Sequence, residues 1–356
     1  MRNPLDDLEA IKRLDRFDML GKIAHLADQC REGWRLGKSW SVPARLRNSK
    51  KLLLAGMGGS AIGGDLLHGL FGQALSRPIL VNRDYDLPAW VDRQTVVLAI
   101  SYSGNTEETL SAFRQARARR LPTLAIASGG KLGRWARRSS IPFLDIPKGW
   151  PPRAAVGYTT FAPAGLLSQW GWLRQGTIPL EKGLSSLERF IRKELIPQIP
   201  ESANPAKKLA RQLLGHLPIL YGAAGGWEGI VYRWRTQLEE NAKTLTFHHI
   251  FPEMTHNEIS GWGRPPSLKK GLVAVFLEDA ELHTRVRRRM EFVKRLIQRE
   301  GGQVVRVQTS GASRFERMLK VIALGDFASV YLGILYRVDP TPVKRVEALK
   351  RYLLET

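Results

Sequence analysis

An uninterrupted apolar run, Val96 to Ile100, passes directly into SYSGNTEETL at Ser101 to Leu110. A strand without polar alternation is buried on both faces, as in a parallel sheet covered by helices, and in such sheets ligands bind beyond the strand C-termini. The segment that follows is built for an anion. Ser101, Ser103 and Thr106 offer hydroxyl donors, Gly104 permits a tight turn, and the next helix adds first-turn N–H groups with partial positive charge. Glu107 and Glu108 suit the first turn of that helix and supply a capping-box partner. Simple capping of the helix by Ser103 or Thr106 is the competing explanation.

A second loop of the same kind lies upstream. KLLLAGMGGSAIGGD, Lys51 to Asp65, is a short apolar strand running into five glycines and one serine before a helical pattern resumes. Strand, glycine loop and helix form half of a nucleotide- or phosphate-binding α/β unit. Gly56, Gly58 and Ala61 imitate a dinucleotide fingerprint, but the next strand leads into Asn82, Arg83 and Asp84, a poor match to the acid that would hold a ribose. Gly58, Gly59 and Ser60 together with Ser101, Ser103 and Thr106 are better read as walls of one pocket for a small phosphorylated ligand.

The element pattern is that of a duplicated α/β protein. A helical segment, 1–37, precedes strands expected at Lys51 to Ala55, Pro78 to Val81, Thr95 to Ser101, Leu121 to Ser128 and Ile141 to Ile146. Alternation of these strands with helical patterns implies a parallel sheet with both faces covered, in a first unit spanning 38–155. An amphipathic helical connector is expected over 156–198, from Phe161 to about Gln198. A second unit, 199–356, repeats the strand and glycine-loop plan at Leu217 to Trp227, adds strands at Gly271 to Leu277 and Gly302 to Thr309, and ends in a helix. It has no SxSGxT of its own. The fold class read from the sequence is therefore α/β, two doubly wound parallel-sheet subdomains, each three layers thick.

Composition bounds the function further. The chain has 356 residues, enough for two ordinary domains, and one cysteine, which excludes an internal disulfide framework or a multi-cysteine zinc site. Packing is the expected role of that residue, Cys30. The first twenty residues lack a signal-like apolar stretch and no run of 18 apolar residues occurs, so a soluble cytoplasmic protein without a membrane partner is expected. Lysine and arginine number 55 against 33 acidic residues, a net charge of +22. The basic clusters, at Arg114 to Arg120 and Arg285 to Arg289, fall on helical patterns and read as solvated faces, so no specific nucleic-acid partner is expected.

Six blocks in order carry a resemblance to a known family: GMGGSAIGGD at Gly56 to Asp65, SYSGNTEET at Ser101 to Thr109, PRAA at Pro152 to Ala155, EENAK at Glu239 to Lys243, HNE at His256 to Glu258, and DPTPV at Asp339 to Val343 with Lys350 eleven residues after Asp339. In these blocks the chain resembles the sugar isomerase (SIS) domain proteins, and within them the bifunctional phosphoglucose/phosphomannose isomerases. The resemblance implies an enzyme interconverting glucose 6-phosphate and mannose 6-phosphate with fructose 6-phosphate, without metal or other cofactor, as a homodimer with shared active sites. It also implies site roles.

Downstream of Trp227, residues Ile230, Val231, Trp234 and Leu238 form one apolar helix face, and Glu240 lies off it near the helix end. By composition alone this is a surface helix end with Glu239 paired to Lys243. By resemblance Glu240 is the catalytic base, with Glu239 as the alternative one residue away. His256 lies in a probable turn bounded by Pro252 and Gly261, and His248 and His249 nearby lack metal-ligand spacing toward carboxylates. The resemblance makes His256 the residue that assists pyranose opening in the neighbouring subunit, a task suited to an imidazole. Arg153 is expected to offset enediolate charge and Lys350 to polarise the ring oxygen or the carbonyl, with Thr341 the small residue beside C2. A sugar-phosphate sensor without turnover and an NADP-dependent oxidoreductase are the alternative functions.

Overall fold

Three short helices open the chain, α1 (Leu8–Leu14), α2 (Met19–Ala24) and α3 (Leu26–Ser39). The computed structural model describes residues 3–174 and 176–355. Asp7 caps α1 by accepting from the Ala10 N–H, and the buried Asp15 carboxylate accepts from Met19 and Leu20 at the start of α2, so the first two helix starts are fixed by acidic acceptors.

The first sheet is formed by β1 (Lys51–Ala55), β2 (Ile79–Asn82), β3 (Thr95–Ile100), β4 (Thr123–Ala127) and β5 (Phe143–Asp145), with α4 (Gly58–Phe71), α5 (Glu107–Ala118) and α6 (Gly130–Arg138) in the crossovers. The order is β2-β1-β3-β4-β5 and every pairing is parallel. All six residues of β3 are buried, which accounts for its lack of polar alternation. Leu52, Leu54, Val96, Leu98 and Ile100 face the main core with α4, whereas Leu53, Val97 and Ala99 pack on the opposite side against α5 and α6. The direction in which successive strands are added to the sheet reverses between β1 and β3, the switch point where a crevice forms at the strand C-termini and both polar loops emerge.

After β5, a short turn at Pro152–Ala154 leads into α7 (Val156–Gln169), followed by α8 (Leu180–Phe190) and α9 (Pro205–Leu213). The expected amphipathic connector is corrected here: α7 begins at Val156 and is buried from Val156 to Leu167, a core helix between α3 and α4. Small residues make that possible. A Cβ on Gly37 of α3 would lie 1.9 Å from the Ala162 carbonyl oxygen, and one on Gly165 of α7 would lie 2.3 Å from that of Trp34.

The second sheet, in the order β7-β6-β8-β9, contains β6 (Leu217–Ala223), α10 (Glu228–Asn241), β7 (Phe247–Phe251), β8 (Leu272–Glu278), α11 (Thr284–Arg299) and β9 (Gln303–Gln308), again all parallel. Strand β7 was not expected from the sequence. Its pattern, FHHIF, leaves Phe247 52% exposed at the sheet edge and contains two histidines, so it reads as neither an alternating nor a fully apolar strand. Two helices close the chain, α12 (Arg314–Leu335) and α13 (Lys344–Glu355). Helix α12 is long and apolar enough to cross a membrane by composition, but 83% of its apolar window is buried and it packs on α8, α9 and α10 as a core helix. Cys30 is fully buried in the same core.

Replacing Gly37 by Ala is expected to destabilise the protein by about 2 kcal/mol. The roughly 1 kcal/mol gain in helix propensity is outweighed by a clash with backbone that cannot rotate away. Urea unfolding of the two proteins checks this; an unchanged midpoint would mean that α3 and α7 can separate freely.

Candidate active site

The site begins at the β1/β3 crevice. Helices α4 and α5 both start there without a side-chain cap, and Thr106, the residue before α5, makes no capping bond. Capping of this helix by Ser103 or Thr106 is thereby removed, and two helix N-termini direct N–H groups to one space, that of α5 with Glu107 and Glu108 in its first turn. Ser101 and Thr106 share a hydrogen bond between hydroxyls at 2.9 Å, and the Ser60 hydroxyl accepts from the Tyr102 N–H at 3.2 Å, joining the glycine loop to the serine loop. Ser103 is exposed and its Oγ accepts from the Asn105 N–H at 3.3 Å. Gly104 takes a left-handed φ of 67° with its Cα face against the Gly129 carbonyl, where a Cβ would approach to 2.0 Å.

The cradle is fastened to Arg153. A Cβ on Gly59 would meet the Pro152 carbonyl oxygen at 2.8 Å, so the start of α4 lies directly against the turn carrying Arg153. The Tyr102 hydroxyl donates to the Pro147 carbonyl at 3.0 Å and accepts from the Trp150 N–H at 2.9 Å, tying the 147–150 segment to the serine loop.

Arg153 is only 4% exposed at its side chain and spans both halves of the protein. Its Nε donates to Asn241 Oδ1 at 2.7 Å, Nη1 to Glu240 Oε2 at 3.3 Å, and Nη2 to the carbonyls of Pro340 at 2.7 Å and Thr341 at 2.9 Å. Burial draws its pKa below the ordinary arginine range, opposed by the Glu240 carboxylate, and the guanidinium stays charged. The Glu240 carboxylate is 35% exposed, so it contacts the buried cation while remaining open to solvent. Glu239 points elsewhere. It pairs with Arg235 at 3.4 Å rather than with Lys243, and burial raises its pKa.

Why α10 delivers these groups is visible in its buried face. Ile230, Val231, Trp234 and Leu238 are buried as expected, but so is a polar seam at helical spacing, Arg233, Gln237 and Asn241. Arg233 pairs with Asp326 of α12 at 2.7 Å and donates to the Arg153 carbonyl at 3.1 Å. The Asn241 amide donates to Gln237 at 3.1 Å and to Ser329 of α12 at 2.9 Å, which orients its oxygen toward Arg153. Sequence reasoning passed over Arg233, Asn241, Asp326 and Tyr102. The only available signal was the four-residue spacing on α10 and the placement of Tyr102 inside the SYSGNT block.

The second glycine loop is occupied by the chain itself. The Gly225 and Gly226 N–H groups donate to the two oxygens of Glu228 at 3.0 and 2.6 Å. At the end of β8, the counterpart of Ser101, stand Glu278 and Asp279, with Asp279 bonded to Arg317 at 2.6 Å. In the second half, carboxylates of the chain itself take up the loop donors.

His256 and Lys350 are not joined to this cluster. His256 ends the exposed turn Glu253–His256 after β7, and Lys350 lies on α13 with an exposed side chain; neither is hydrogen bonded or ion paired among the described residues. The His256 segment is anchored through Glu258, which accepts from the Tyr221 hydroxyl and contacts His249 Nδ1. The Thr341 hydroxyl oxygen is buried without a hydrogen-bond partner among the described residues. Among the described residues no group of three or more His, Cys, Asp or Glu side chains is placed to hold a metal ion.

Two parallel sheets of this topology, with a hydroxyl- and glycine-lined crevice in the first, define a protein of paired SIS domains. Residues 45–143 match the SIS domain family, and residues 202–353 match the family described as the bacterial phospho-glucose isomerase C-terminal SIS domain. The bifunctional phosphoglucose/phosphomannose isomerase of Caldicellulosiruptor bescii is 40% identical, covering 95% of this chain and 99% of that relative. That of Aquifex aeolicus is 34% identical, covering 90% and 96%. A solved structure of a hypothetical protein from Thermus thermophilus superposes with a TM-score of 0.74 at 18% identity, over 98% of this chain and 94% of the other, a likeness of fold. The chain belongs to the bifunctional phosphoglucose/phosphomannose isomerase family.

Replacing Asp326 by Ala leaves Arg233 as a buried charge without its carboxylate and is expected to lower stability by about 3–5 kcal/mol. Chemical denaturation measures the loss. Replacing Arg233 and Asp326 together by apolar residues should recover a large part of it, and a double variant as unstable as the single one would show that the pairing is not the cause.

Proposed function

We propose that this protein is an aldose-ketose isomerase that interconverts glucose 6-phosphate, and also mannose 6-phosphate, with fructose 6-phosphate by metal-independent proton transfer. The observation that carries this reading is the placement of the Glu240 carboxylate, 3.3 Å from a buried arginine, beside a crevice with two uncapped helix N-termini. Family membership supports it, since the relatives at 40% and 34% identity bear both activities in their names.

In this reading the phosphate dianion rests among Gly58, Gly59, Ser60, Ser101, Ser103 and Thr106, and this remote grip sets C1 and C2 against the base. His256 and Lys350 assist ring opening. The open aldose then presents a C2 proton acidified by the adjacent carbonyl. Glu240 takes it, leaving a cis-enediolate, and returns it to C1 as the O2 hydroxyl proton passes to O1 and the carbonyl moves to C2. Arg153 stabilises the negative oxygen formed between these steps, and its own position is fixed by four acceptors. The unpartnered Thr341 hydroxyl is available to the sugar. His256, on an exposed turn, serves the crevice of a second copy, which makes the working unit a homodimer in the cytoplasm.

A coupled assay from fructose 6-phosphate tests the assignment. Wild type is expected to be active with EDTA present, and Glu240→Gln to lose about 10²–10⁴-fold in kcat, the usual contribution of a general base. Full activity in the variant would remove Glu240 from the role; an inactive wild type that still binds the sugar phosphate would make the protein a sensor.

A further inference from the structure

Lys243, two residues beyond α10, has a left-handed φ of 57°. Few residues other than glycine or asparagine adopt this conformation, so the backbone alone gives no reason for lysine here. The side chain does. Its Nζ donates to the Glu240 carbonyl at the helix end and to the Pro340 carbonyl at 3.0 Å, and Pro340 is also an acceptor for Arg153 at 2.7 Å. Two cations therefore share one carbonyl oxygen, separated by no more than those two bonds laid end to end. An ordinary helix-end lysine satisfies carbonyls of its own helix; this one reaches across to the segment that brackets Arg153.

We propose that Lys243 is a positioning residue of the proton-transfer site, acting through Arg153 and Glu240, whose positive charge is needed for full turnover and whose loss of a proton closes the alkaline limb of activity. This rests on the isomerase reading of the same site. The charged groups facing it are Arg153 from the Pro152–Ala154 turn, Glu240 from α10 and Asp339 from the segment before α13, the last also 4.0 Å from Arg16. Burial of the ammonium, then the Arg153 charge, lower its pKa to about 8, against the opposing pull of Glu240 and Asp339, although the residue as a whole is exposed. Lys243 is thus a cation below about pH 8 and neutral above it.

The test compares wild type, Lys243→Met and Lys243→Arg, all compatible with the same backbone. Wild-type kcat is expected to fall about tenfold between about pH 7 and about pH 9, the scale of one charge lost a few ångströms away in a partly hydrated site. Lys243→Met should sit on the low plateau throughout, with KM for fructose 6-phosphate changed less than about twofold, because the charge acts on turnover. Lys243→Arg should keep the high plateau through about pH 9, since a guanidinium does not titrate there. A Met variant with wild-type kcat, or Met and Arg variants equally slow with an unaltered alkaline limb, would overturn the proposal. If wild type proves inactive at every pH the isomerase reading fails instead, and NMR of reductively ¹³C-methylated protein still decides the charge. A dimethyl-lysine signal titrating near pH 8 and missing from Lys243→Arg is expected; titration of that signal only above about pH 10, as for ordinary lysine, would overturn it.

Discussion

A guanidinium removed from water loses several kcal/mol of hydration unless acceptors replace the solvent. Arg153 has those acceptors only because the second half of the chain supplies all of them: Asn241, Glu240, Pro340 and Thr341. Its main-chain carbonyl is in turn held by Arg233. The residue is introduced by the first half, at the turn against which α4 begins, so burying it requires the two sheets to be docked. A single buried charge thereby couples fold to function. The cleft that holds Glu240 against Arg153 exists only in the docked arrangement, and whatever loosens α10 from α12 reaches the cleft through Asn241 and Ser329.

The two halves share a plan and differ in what fills their crevices. In the first, α4 and α5 begin without side-chain caps and leave donors toward solvent. In the second, the corresponding glycine loop donates to Glu228, and the adjoining strand ends in Glu278 and Asp279, already paired with Lys294, Arg306 and Arg317. A phosphate entering there would have to displace a carboxylate and face two more. One duplicated element remains open to an anion; the other has become a structural joint, free to present α10 to the cleft.

The strands of the first sheet were legible because burial, nearly complete in β1, β3 and β4 and partial in β2 and β5, imposes continuous apolar runs, and their boundaries fall within about two residues of the expected ones. The two polar loops were legible because glycine and hydroxyl residues at strand ends have few other uses. What could not be read was pairing across the domain junction. Arg233, Arg153 and Lys243 are three among 55 basic residues, and a buried arginine is written in the sequence like an exposed one. Strand β7 escaped because an edge position tolerates histidine and an exposed phenylalanine, and α7 because its glycines disguise a buried helix as a loosely amphipathic one. For His256 and Lys350 the residue types were visible, but no contact within one copy of the chain brings either to Arg153.

Separating the anchor from the chemistry has a consequence for charge. In the proposed site the six cradle residues offer amide and hydroxyl dipoles and include no lysine or arginine, whereas the cations are grouped at Glu240: Arg153 beside its carboxylate, and Lys243 behind Arg153, sharing the Pro340 carbonyl with it. In the proposed reaction such dipoles would hold a phosphate dianion that is present throughout, and so would contribute equally to ground and transition states. Arg153, beside the proposed base, would meet charge that appears only between the two proton transfers, and there electrostatic stabilisation would accelerate turnover. The surplus of +22 acts at longer range, drawing anionic sugar esters toward the surface without specifying where they stop. In that reading specific placement falls to the crevice between β1 and β3, and the rate to a carboxylate held at the edge of a buried cation.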